Sequence, residues 1–422
     1  MKRFGQLTII ASVWLSVGTA RAQSAPTCLF NPETATLTVT VDSQTATLTR
    51  TAGGQIRLNG VACEGATVTS TDFIQVNGGA LLDRVTISGD FTPGLTVEAE
   101  GASEIEWGFD LGNQNDFVRL NGTALADTVI FAAGGIDVAG DGDQDMTTAG
   151  VDRVRVYPLD GDDTVNASAY TGGGLVEVFG GNGNDSITGS AQNDNLFGQG
   201  DNDTIDGGDG NDRLTGGVGN DDVDGQGGND TLFADPTADG ADLFVGGDGV
   251  DTLDYGRRDL ALNVSIGNGA ADDGQEGELD NVDISVDKVI GGSADDVLVG
   301  SVGNNTLTGN LGNDQLFGGG GRDILQGGGG DDVLFGDNGP DDLFGDTGLD
   351  SLDGGAGNDN IFGGAGVDSL TGGTGADSFF GEGGNDFFFN ADAFPDTVNC
   401  GVGTQDDPEP DPLDTFIACE NI

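Results

Sequence analysis

The most regular feature of the chain is a nine-residue spacing of hydrophobic positions. From Gly180 the sequence divides without a gap into six blocks, among them GGNGNDSIT and GGDGNDRLT, which end at Phe233. A separate block, GGDGVDTLD, occupies residues 246–254, and eleven more blocks run from Gly291 to Phe389. Position 8 is Leu, Ile, Val or Phe in all eighteen blocks. This pattern predicts one buried side chain for every nine residues.

The other fixed positions of the block predict its backbone. Positions 1, 2 and 4 are mostly Gly, and position 6 is Asp in seventeen of the eighteen blocks, the exception being Asn305. Glycine tolerates positive φ, so we expect about six residues of turn followed by about three residues of strand. Two blocks then form a coil of about eighteen residues, and successive coils stack about 4.8 Å apart. The sequence therefore predicts an all-β solenoid.

The turns have the chemistry of a calcium site. A turn that places carbonyl oxygens around one carboxylate suits Ca²⁺, which takes six to eight oxygen ligands at flexible angles, better than Mg²⁺. Stacked coils line up their Asp carboxylates, and such a ladder is repulsive without cations. One small apolar side chain cannot offset the cost of ordering nine residues, at roughly 1–2 kcal/mol each. We therefore expect calcium to decide whether the repeats fold.

The blocks resemble the RTX (hemolysin-type calcium-binding) nonapeptide G-G-x-G-x-D-x-U-x over residues 180–254 and 291–389. The resemblance implies a right-handed parallel β-roll, with multiple Ca²⁺ held between successive coils by turn carbonyls and by the position-6 Asp. The alternative, a flexible acidic linker, gives no reason for the hydrophobic residue at position 8. The metal ligands implied by the resemblance are Asp185, Asp194, Asp203, Asp212, Asp221, Asp230, Asp251, Asp296, Asp314, Asp323, Asp332, Asp341, Asp350, Asp359, Asp368, Asp377 and Asp386.

Two departures from the pattern weaken individual sites. Asn305 lacks the charge, and the block 189–197 has Ser190, Ala191 and Gln192 where Gly-x-Gly is expected. We expect the sites beside them to be weak or empty. The phenylalanines at 379, 380 and 387–389 predict a cap that closes the roll.

The rest of the chain divides around the two arrays. Short alternating runs such as Thr36–Val41, Ala66–Thr69, Arg84–Ile87 and Phe117–Leu120 predict strands. The predicted segments are a signal peptide (1–22), an N-terminal β cap domain (23–109), irregular β-helix coils (110–179), the first array (180–254), an acidic linker or bulge (255–290), the second array (291–389) and a C-terminal cap (390–422).

The N-terminus and the cysteines predict export. Lys2 and Arg3 precede an apolar run, and Ala20-Arg21-Ala22 fits a cleavage site. Cys28 with Cys63, and Cys400 with Cys419, form two local disulfides in the interpretation we favour, although three pairings are possible. This arrangement is similar to secreted bacterial calcium-binding proteins with Cys-paired termini. We expect a secreted, extracellular protein, with periplasmic or surface retention as the alternative.

Composition excludes several functions. The 422 residues include 72 Asp and Glu, 14 Lys and Arg and no His, for a net charge of −58. Without histidine there is no Ser-His-Asp relay and no His-ligated metal site. With so few basic residues we expect no nucleic-acid binding, and without a long apolar stretch we expect no membrane insertion. The expected partners are calcium ions and, as a further candidate, an extracellular polysaccharide or a cell surface.

These observations favour a non-enzymatic calcium-binding protein with an extracellular structural or adhesive role. The alternative is a carbohydrate-active enzyme, lyase-like or epimerase-like, with the arrays as an accessory module. Its candidate catalytic residues are Arg153 and Arg155. Their spacing is explained more simply if both side chains lie on the solvent-facing side of a strand.

Two further acidic clusters lie outside the repeats. Asp141, Asp143, Asp145 and Asp152 imitate the spacing of an EF-hand loop, but Met146 stands where that loop requires Gly, so a solvated turn is favoured. The other cluster, in the linker, is either part of a loop or an additional cation site; its members are Asp272, Asp273, Glu276, Glu278 and Asp280.

Overall fold

The computed structural model describes residues 153–389 without a break, then 393–403, 406–409 and 413–419, and only isolated strands before residue 153. These residues contain strands and turns, and none of them forms a helix that could cross a membrane. Each regular repeat contributes one strand at its last three residues, where outward and inward side chains alternate. Several of these strands continue into the following turn, as Thr306–Leu311 does. The predicted all-β fold is confirmed.

The chain forms two compact units, and the first is Met1–Leu214. Its strands are Thr8–Ile10, Thr27–Asn31, Thr36–Thr40, Thr45–Arg50, Gln55–Leu58, Val61–Thr67, Phe73–Asn77, Arg84–Ser88, Glu106–Asp110, Phe117–Asn121, Thr128–Ala132, Gly135–Asp137, Met146–Ala149, Arg153–Tyr157, Leu159–Asp160, Thr164–Asn166, Leu175–Asn182, Ser186–Thr188, Asn195–Gly200 and Thr204–Asp206. A further strand, Arg213–Val218, spans the division between the units.

Parallel pairing dominates this unit. Phe117–Asn121 pairs in parallel with Arg84–Ser88 on one side and Arg153–Tyr157 on the other. Thr36–Thr40 pairs in parallel with Phe73–Asn77. Coil-like stacking is thus present in the region predicted as irregular coils and also before residue 110, where a separate cap domain is expected.

The predictions for the signal peptide, for Cys28 with Cys63 and for the EF-hand-like loop involve residues that the structure describes only in part or not at all. Thr8–Ile10 pairs with Phe73–Asn77, yet cleavage of the predicted signal peptide would remove it. Cys63 is buried and disulfide-bonded, whereas the side chain of Cys28 lies outside the described residues. The EF-hand-like residues Asp141, Asp143, Asp145 and Asp152 also lie outside them.

The second unit is Thr215–Ile422. Its strands are Asp222–Asp224, Gly227–Gly228, Thr231–Phe233, Leu243–Val245, Asp248–Gly249, Thr252–Asp254, Leu262–Ser265, Gly274–Gln275, Asn281–Val282, Lys288–Ile290, Val297–Val299, Thr306–Leu311, Gln315–Phe317, Ile324–Gly329, Val333–Phe335, Asp342–Gly348, Ser351–Ala356, Asn360–Gly366, Ser369–Thr374, Ser378–Gly383, Phe387–Phe389, Thr397–Asn399, Asp407–Glu409 and Thr415–Ile417.

Strands of this unit pair in parallel with a register of eighteen residues. Leu316 lies opposite Leu334 in one sheet, and Leu325 lies opposite Leu343 in the other. Successive repeats therefore alternate between two sheets, and two repeats complete one coil. The parallel β-solenoid expected from the nine-residue period is confirmed.

The core of the repeats consists of stacked position-8 side chains that point inward from the sheets. All eighteen are at most 1% exposed: Ile187, Leu196, Ile205, Leu214, Val223, Leu232, Leu253, Leu298, Leu307, Leu316, Leu325, Leu334, Leu343, Leu352, Ile361, Leu370, Phe379 and Phe388. Near the C-terminal end the core widens, because Phe379 packs edge to face on Phe388. Phe387 and Phe389, which flank Phe388, are exposed.

The last coil is joined covalently. Thr397–Asn399 pairs in parallel with Thr415–Ile417. The residues that follow these two strands, Cys400 and Cys419, form a disulfide with a Cα–Cα distance of 5.0 Å. The predicted pairing of these cysteines is confirmed.

The segment 255–290, which we expected to be an acidic linker or bulge, contributes strands to the sheets of the solenoid. Lys288–Ile290 continues one sheet beside Thr252–Asp254, and Leu262–Ser265 pairs in parallel with Val297–Val299. The acidic residues lie around two short strands of the same segment, Gly274–Gln275 and Asn281–Val282. The insertion therefore replaces regular turns while keeping strands in the sheets.

Candidate metal centre

The turn is shaped by a left-handed residue at position 2. In fifteen of the eighteen repeats this residue has positive φ, for example 92° at Gly319 and 108° at Gly328. Asp337, with a φ of 66°, shows that a short polar side chain is tolerated there. This conformation turns the chain sharply between one strand and the next position-6 residue.

The position-6 aspartates are buried at the base of these turns. In the second array the carboxylate of Asp341 is fully buried, and its Oδ1 accepts the backbone N–H of Asp323 at 2.8 Å. The N–H of Asp341 in turn donates to Oδ1 of Asp359 at 2.8 Å. One carboxylate oxygen therefore fastens each coil to the coil before it.

The two edges of the second unit carry two such ladders. The first runs through Asp296, Asp314, Asp332, Asp350, Asp368, Asp386 and Asp406. The second runs through Asn305, Asp323, Asp341, Asp359, Asp377, Asp396 and Asp414. In the first unit Asp163, Asp185 and Asp203 are linked in the same way. So are Asp194 and Asp212.

The second oxygen of many of these carboxylates is buried without a hydrogen-bond partner. This holds for Oδ2 of Asp185, Asp251, Asp314, Asp323, Asp332, Asp341, Asp350, Asp359, Asp368, Asp386 and Asp406. A buried, unpartnered carboxylate oxygen is costly unless a cation or a proton compensates it. The repeated orphan oxygen therefore marks the place that a ligand would fill.

A small space opens in front of each such oxygen, because position 1 is glycine. A Cβ at Gly336 would lie 2.7 Å from Oδ2 of Asp341 and 2.6 Å from the carbonyl oxygen of Gly354 in the next coil. At Gly345 the corresponding distances to Asp350 Oδ2 and Gly363 O are 2.6 and 2.5 Å. The carboxylate of one coil and a turn carbonyl of the next coil thus face the same small space, which no side chain fills because position 1 is glycine.

Burial changes the acidity of these groups. Desolvation raises the pKa of Asp314, Asp323, Asp350 and Asp359 to about 7, although the backbone N–H bound to each Oδ1 opposes the shift. The same balance raises the pKa of Asp341 and Asp386 to about 6. Near neutral pH these sites therefore exchange protons readily, and a cation competes with those protons.

The donor set fits Ca²⁺. Every candidate donor is a hard oxygen, and turn backbone supplies ligands at the variable angles that calcium accepts. Among the described residues no three acidic or thiol side chains gather around one point, so backbone carbonyls have to complete each shell. Bound Ca²⁺ would supply positive charge to the orphan Oδ2 atoms, and the chain's role is to hold the oxygens in place.

All seventeen predicted ligands occupy position 6 of a described turn, and each is at most 3% exposed. Asp194 and Asp296 differ from the others, because Oδ2 of each already accepts a backbone N–H. Asn305, where we expected a weak site, likewise accepts the N–H of Ser301 through Oδ1. The assignment of individual ligands remains a prediction.

The motif search missed ladder residues that lie outside regular blocks. Asp242 accepts the N–H of Asp221, and Asp406 accepts that of Asp386. Their turns are longer than the six residues of a regular block, which breaks the nine-residue frame, but Asp242 begins an Asp-x-hydrophobe triplet, Asp242-Leu243-Phe244. A search for that triplet alone finds Asp163, Asp242, Asp280, Asp287, Asp396 and Asp414.

The acidic cluster of the linker separates into exposed and buried members. Asp272 and Glu276 are exposed, whereas Asp273, Glu278 and Asp280 are buried. Glu278 forms an ion pair with Arg258, and both oxygens of Asp273 accept backbone N–H groups. The cluster therefore has protein partners in place of an open cation site.

The candidate catalytic arginines are bound to a neighbouring carboxylate. Arg155 forms a short ion pair with Glu177, and Nε of Arg153 lies 3.6 Å from the same carboxylate. Both alternate with the buried valines of the strand Arg153–Tyr157, so they project from its outer face. The geometry matches the simpler interpretation of two solvent-side arginines.

Comparison with known families agrees with the turn geometry. The RTX calcium-binding nonapeptide repeat family matches the chain in eight segments, at residues 179–214, 197–232, 237–257, 290–325, 309–343, 317–352, 335–370 and 362–392. No curated protein matches the chain. The segment 237–257 includes Asp242, the ladder residue that the regular blocks omit. The chain therefore carries RTX-type calcium-binding nonapeptide repeats between residues 179 and 392, and the described repeats form parallel β-solenoid coils.

Proposed function

We propose that this protein is a secreted, non-enzymatic calcium-binding protein whose repeats fold on binding multiple Ca²⁺ ions outside the cell. Its folded form has a structural or adhesive role there, with a polysaccharide or a cell surface as the candidate partner. The position-6 aspartates of the repeats are the proposed ligands, with the adjacent turn carbonyls.

The observation that carries the proposal is the series of buried Oδ2 atoms without a partner. An ion that binds only the folded state stabilises that state, and many ions in series give a steep response to concentration. The unfolded chain exposes these carboxylates to water and gathers no carbonyl oxygens around them. Calcium binding and folding are therefore one coupled reaction.

Further observations support the remaining parts of the proposal. The charged start and apolar run of the N-terminus are typical of a secretory signal, and the Cys400–Cys419 disulfide is typical of an oxidising compartment. The absence of histidine and the pairing of Arg153 and Arg155 with Glu177 favour a non-enzymatic role. The outer faces of the sheets are the proposed surface for adhesion.

Circular dichroism of the protein lacking residues 1–22 tests the proposal. We expect a weakly structured chain in calcium-free buffer and a cooperative gain of β signal as Ca²⁺ is added. Excess chelator should reverse the change, and Mg²⁺ at the same concentration should reproduce little of it, because it prefers stricter octahedral geometry. A β spectrum of unchanged intensity in excess chelator would disprove calcium-coupled folding.

A further inference from the structure

The repeats contain two kinds of turn, which differ in the backbone at position 2. An open turn has a left-handed residue there, as in fifteen repeats. A closed turn does not, and the three closed turns have Ser190, Gly292 and Ser301 at position 2. The first lies in the first unit and the other two are consecutive repeats of the second unit. Conformation at this one residue therefore separates the turns cleanly.

In a closed turn the position-2 N–H points at the position-6 side chain. Ser190 donates to Oδ2 of Asp194 through its N–H at 2.6 Å and its hydroxyl at 2.7 Å. Ser301 donates to Oδ1 of Asn305 through the same two groups, at 2.7 and 3.0 Å. These donors carry partial positive charge and occupy the oxygen that a cation would need. In a closed turn the position-6 side-chain oxygen therefore has hydrogen-bond donors from the chain itself.

The closed turn at Gly292 differs from the other two in what it stacks on. Its N–H donates to Oδ2 of Asp296 at 2.7 Å. A Cβ at Gly292 would lie 2.7 Å from the carbonyl oxygen of Arg258, which accepts the N–H of Ser293 at 3.1 Å. This turn therefore stacks on the Arg258 loop, where other turns stack on a preceding repeat.

Arg258 supplies a positive charge inside the same segment. Its side chain is 1% exposed, and its guanidinium binds both oxygens of Glu278, at 2.7 and 3.1 Å. It also lies 3.3 Å from Oδ1 of Asp239. A bidentate guanidinium–carboxylate pair is the strong form of a buried ion pair. Here a side chain provides the cation that the regular turns lack.

The neighbouring carboxylates are satisfied as well. Asp280 accepts the hydroxyl of Tyr255 at 2.9 Å and the N–H of Asp242 at 3.0 Å. Asp273 accepts the N–H groups of Ser265 and Val282 at 2.6 and 2.9 Å. Residues 255–308 are all described, and none of their carboxylate oxygens is buried without a partner. This contrasts with residues 314–386, where orphan oxygens recur in almost every turn.

We propose that residues 255–308 fold without calcium and form the nucleus on which the calcium-dependent coils of residues 309–389 stack. The proposal rests on the calcium-coupled folding proposed above. Two closed turns, the Arg258–Glu278 pair and the satisfied acidic residues remove the need for a cation in this segment. Its strands in both sheets then offer templates, so the first calcium-dependent coil adds to an existing edge.

Hydrogen–deuterium exchange of the whole chain, read by peptide mass spectrometry, tests this. In calcium-free buffer with chelator, we expect peptides within 258–308 to exchange about tenfold or more slowly than peptides within 314–386. Calcium should slow exchange in the second group and change the first group little. If 258–308 exchanges as fast as 314–386 in chelator while calcium protects both, the nucleus is disproved and calcium-coupled folding stands. Protection of all coils in chelator would overturn both proposals.

Variants separate this nucleus from simple destabilisation. Arg258→Gln leaves Glu278 buried without its charge partner, so protection of 258–308 in chelator should fall by about tenfold or more. Arg257→Gln is the matched control, because its exposed neighbouring side chain carries the same charge. The double variant S301G/N305D removes the serine hydroxyl donor and introduces the carboxylate found in the open turns, and should make protection of 300–308 depend on calcium. Calcium-independent protection of that turn in the double variant would contradict the assignment.

Discussion

Each position-6 aspartate uses its two oxygens for different purposes. Oδ1 of Asp341 accepts a backbone N–H from the preceding coil, while Oδ2 lies buried with no hydrogen-bond partner. An amide in place of the carboxylate could keep the first contact, but it would lose the charge and would place either oxygen or N–H₂ at the cation position. Substitution at this residue therefore tests metal binding with little change in shape.

We predict that Asp341→Asn weakens calcium binding at its turn by about tenfold or more, since a charge-assisted contact contributes roughly 1.5–3 kcal/mol. Asp337→Asn is the control within the same repeat, because Asp337 is exposed and Asn tolerates its left-handed φ. The measurement is the calcium concentration at the midpoint of the circular dichroism titration. Equal midpoints for the two variants would remove Asp341 from the ligand set.

The position-6 residues could be predicted from the sequence, but the state of each turn could not. Ser190 and Asn305 depart visibly from the repeat, and both belong to closed turns. Gly292 fits the repeat at position 2, yet its turn is closed as well. Glycine adopts either conformation, and here the carbonyl of Arg258, thirty-four residues earlier, lies against it. Glycine at position 2 occurs in both kinds of turn, so the local pattern does not reveal which kind forms.

At the scale of the element, the repeat is a half-coil with one inward side chain. Leu334 is fully buried between the sheets, and its strand pairs with Gln315–Phe317 before it and Ser351–Ala356 after it. With so few inward positions, neighbouring repeats cannot easily rearrange to fill a vacancy. Each position-8 side chain is therefore indispensable in its coil.

We predict that Leu334→Ala lowers the free energy of unfolding of the calcium-loaded protein by about 2–5 kcal/mol, the usual cost of a buried Leu-to-Ala cavity. Leu349→Ala removes the same atoms from a side chain that is 58% exposed, and should change stability by less than about 0.5 kcal/mol. Urea unfolding at fixed calcium concentration measures both. Similar losses in the two variants would contradict the core position of Leu334.

Element prediction succeeded where the repeat is regular and was incomplete elsewhere. The run at Thr36 and that at Phe117 are strands, as their alternation predicts. The insertion was expected to be an acidic linker or bulge, and its short strands Asn281–Val282 and Lys288–Ile290 lie in the sheets. They keep the Asp-x-hydrophobe triplet without the glycines, because Tyr255, Arg258 and Glu278 replace the regular turn.

At the scale of the whole molecule, charge outweighs apolar burial. The chain carries a net charge of −58, and each ladder holds carboxylates in successive coils. At a coil spacing of about 5 Å, two ionised neighbours repel by roughly 3 kcal/mol at an effective dielectric of about 20. Burial of one Leu contributes about 1.5–3 kcal/mol. Without cations or protons, repulsion therefore cancels the apolar gain of each repeat.

Protons should replace part of the calcium at low pH. Folding without calcium raises the pKa of Asp314, Asp323, Asp350 and Asp359 from an ordinary 3.8 to about 7. The folded state then binds more protons than the unfolded state between those values, so its stability falls as pH rises from about 4 to 7. We predict more β signal at pH 5 than at pH 8 in resin-treated, calcium-free buffer. The opposite order would show that these carboxylates are not held in a desolvating site.

The disulfide at the C-terminal end has a mechanical consequence. Coils of the second array are joined to their neighbours by hydrogen bonds and the proposed ions, whereas Cys400 and Cys419 cross-link the last coil covalently. Under tension, each eighteen-residue coil that detaches would lengthen the chain by about 60 Å. Extension would proceed in equal steps whose force depends on calcium, and the cross-linked coil would shorten the step at that end. Such a molecule would act as an extensible tether that stiffens in calcium-rich surroundings.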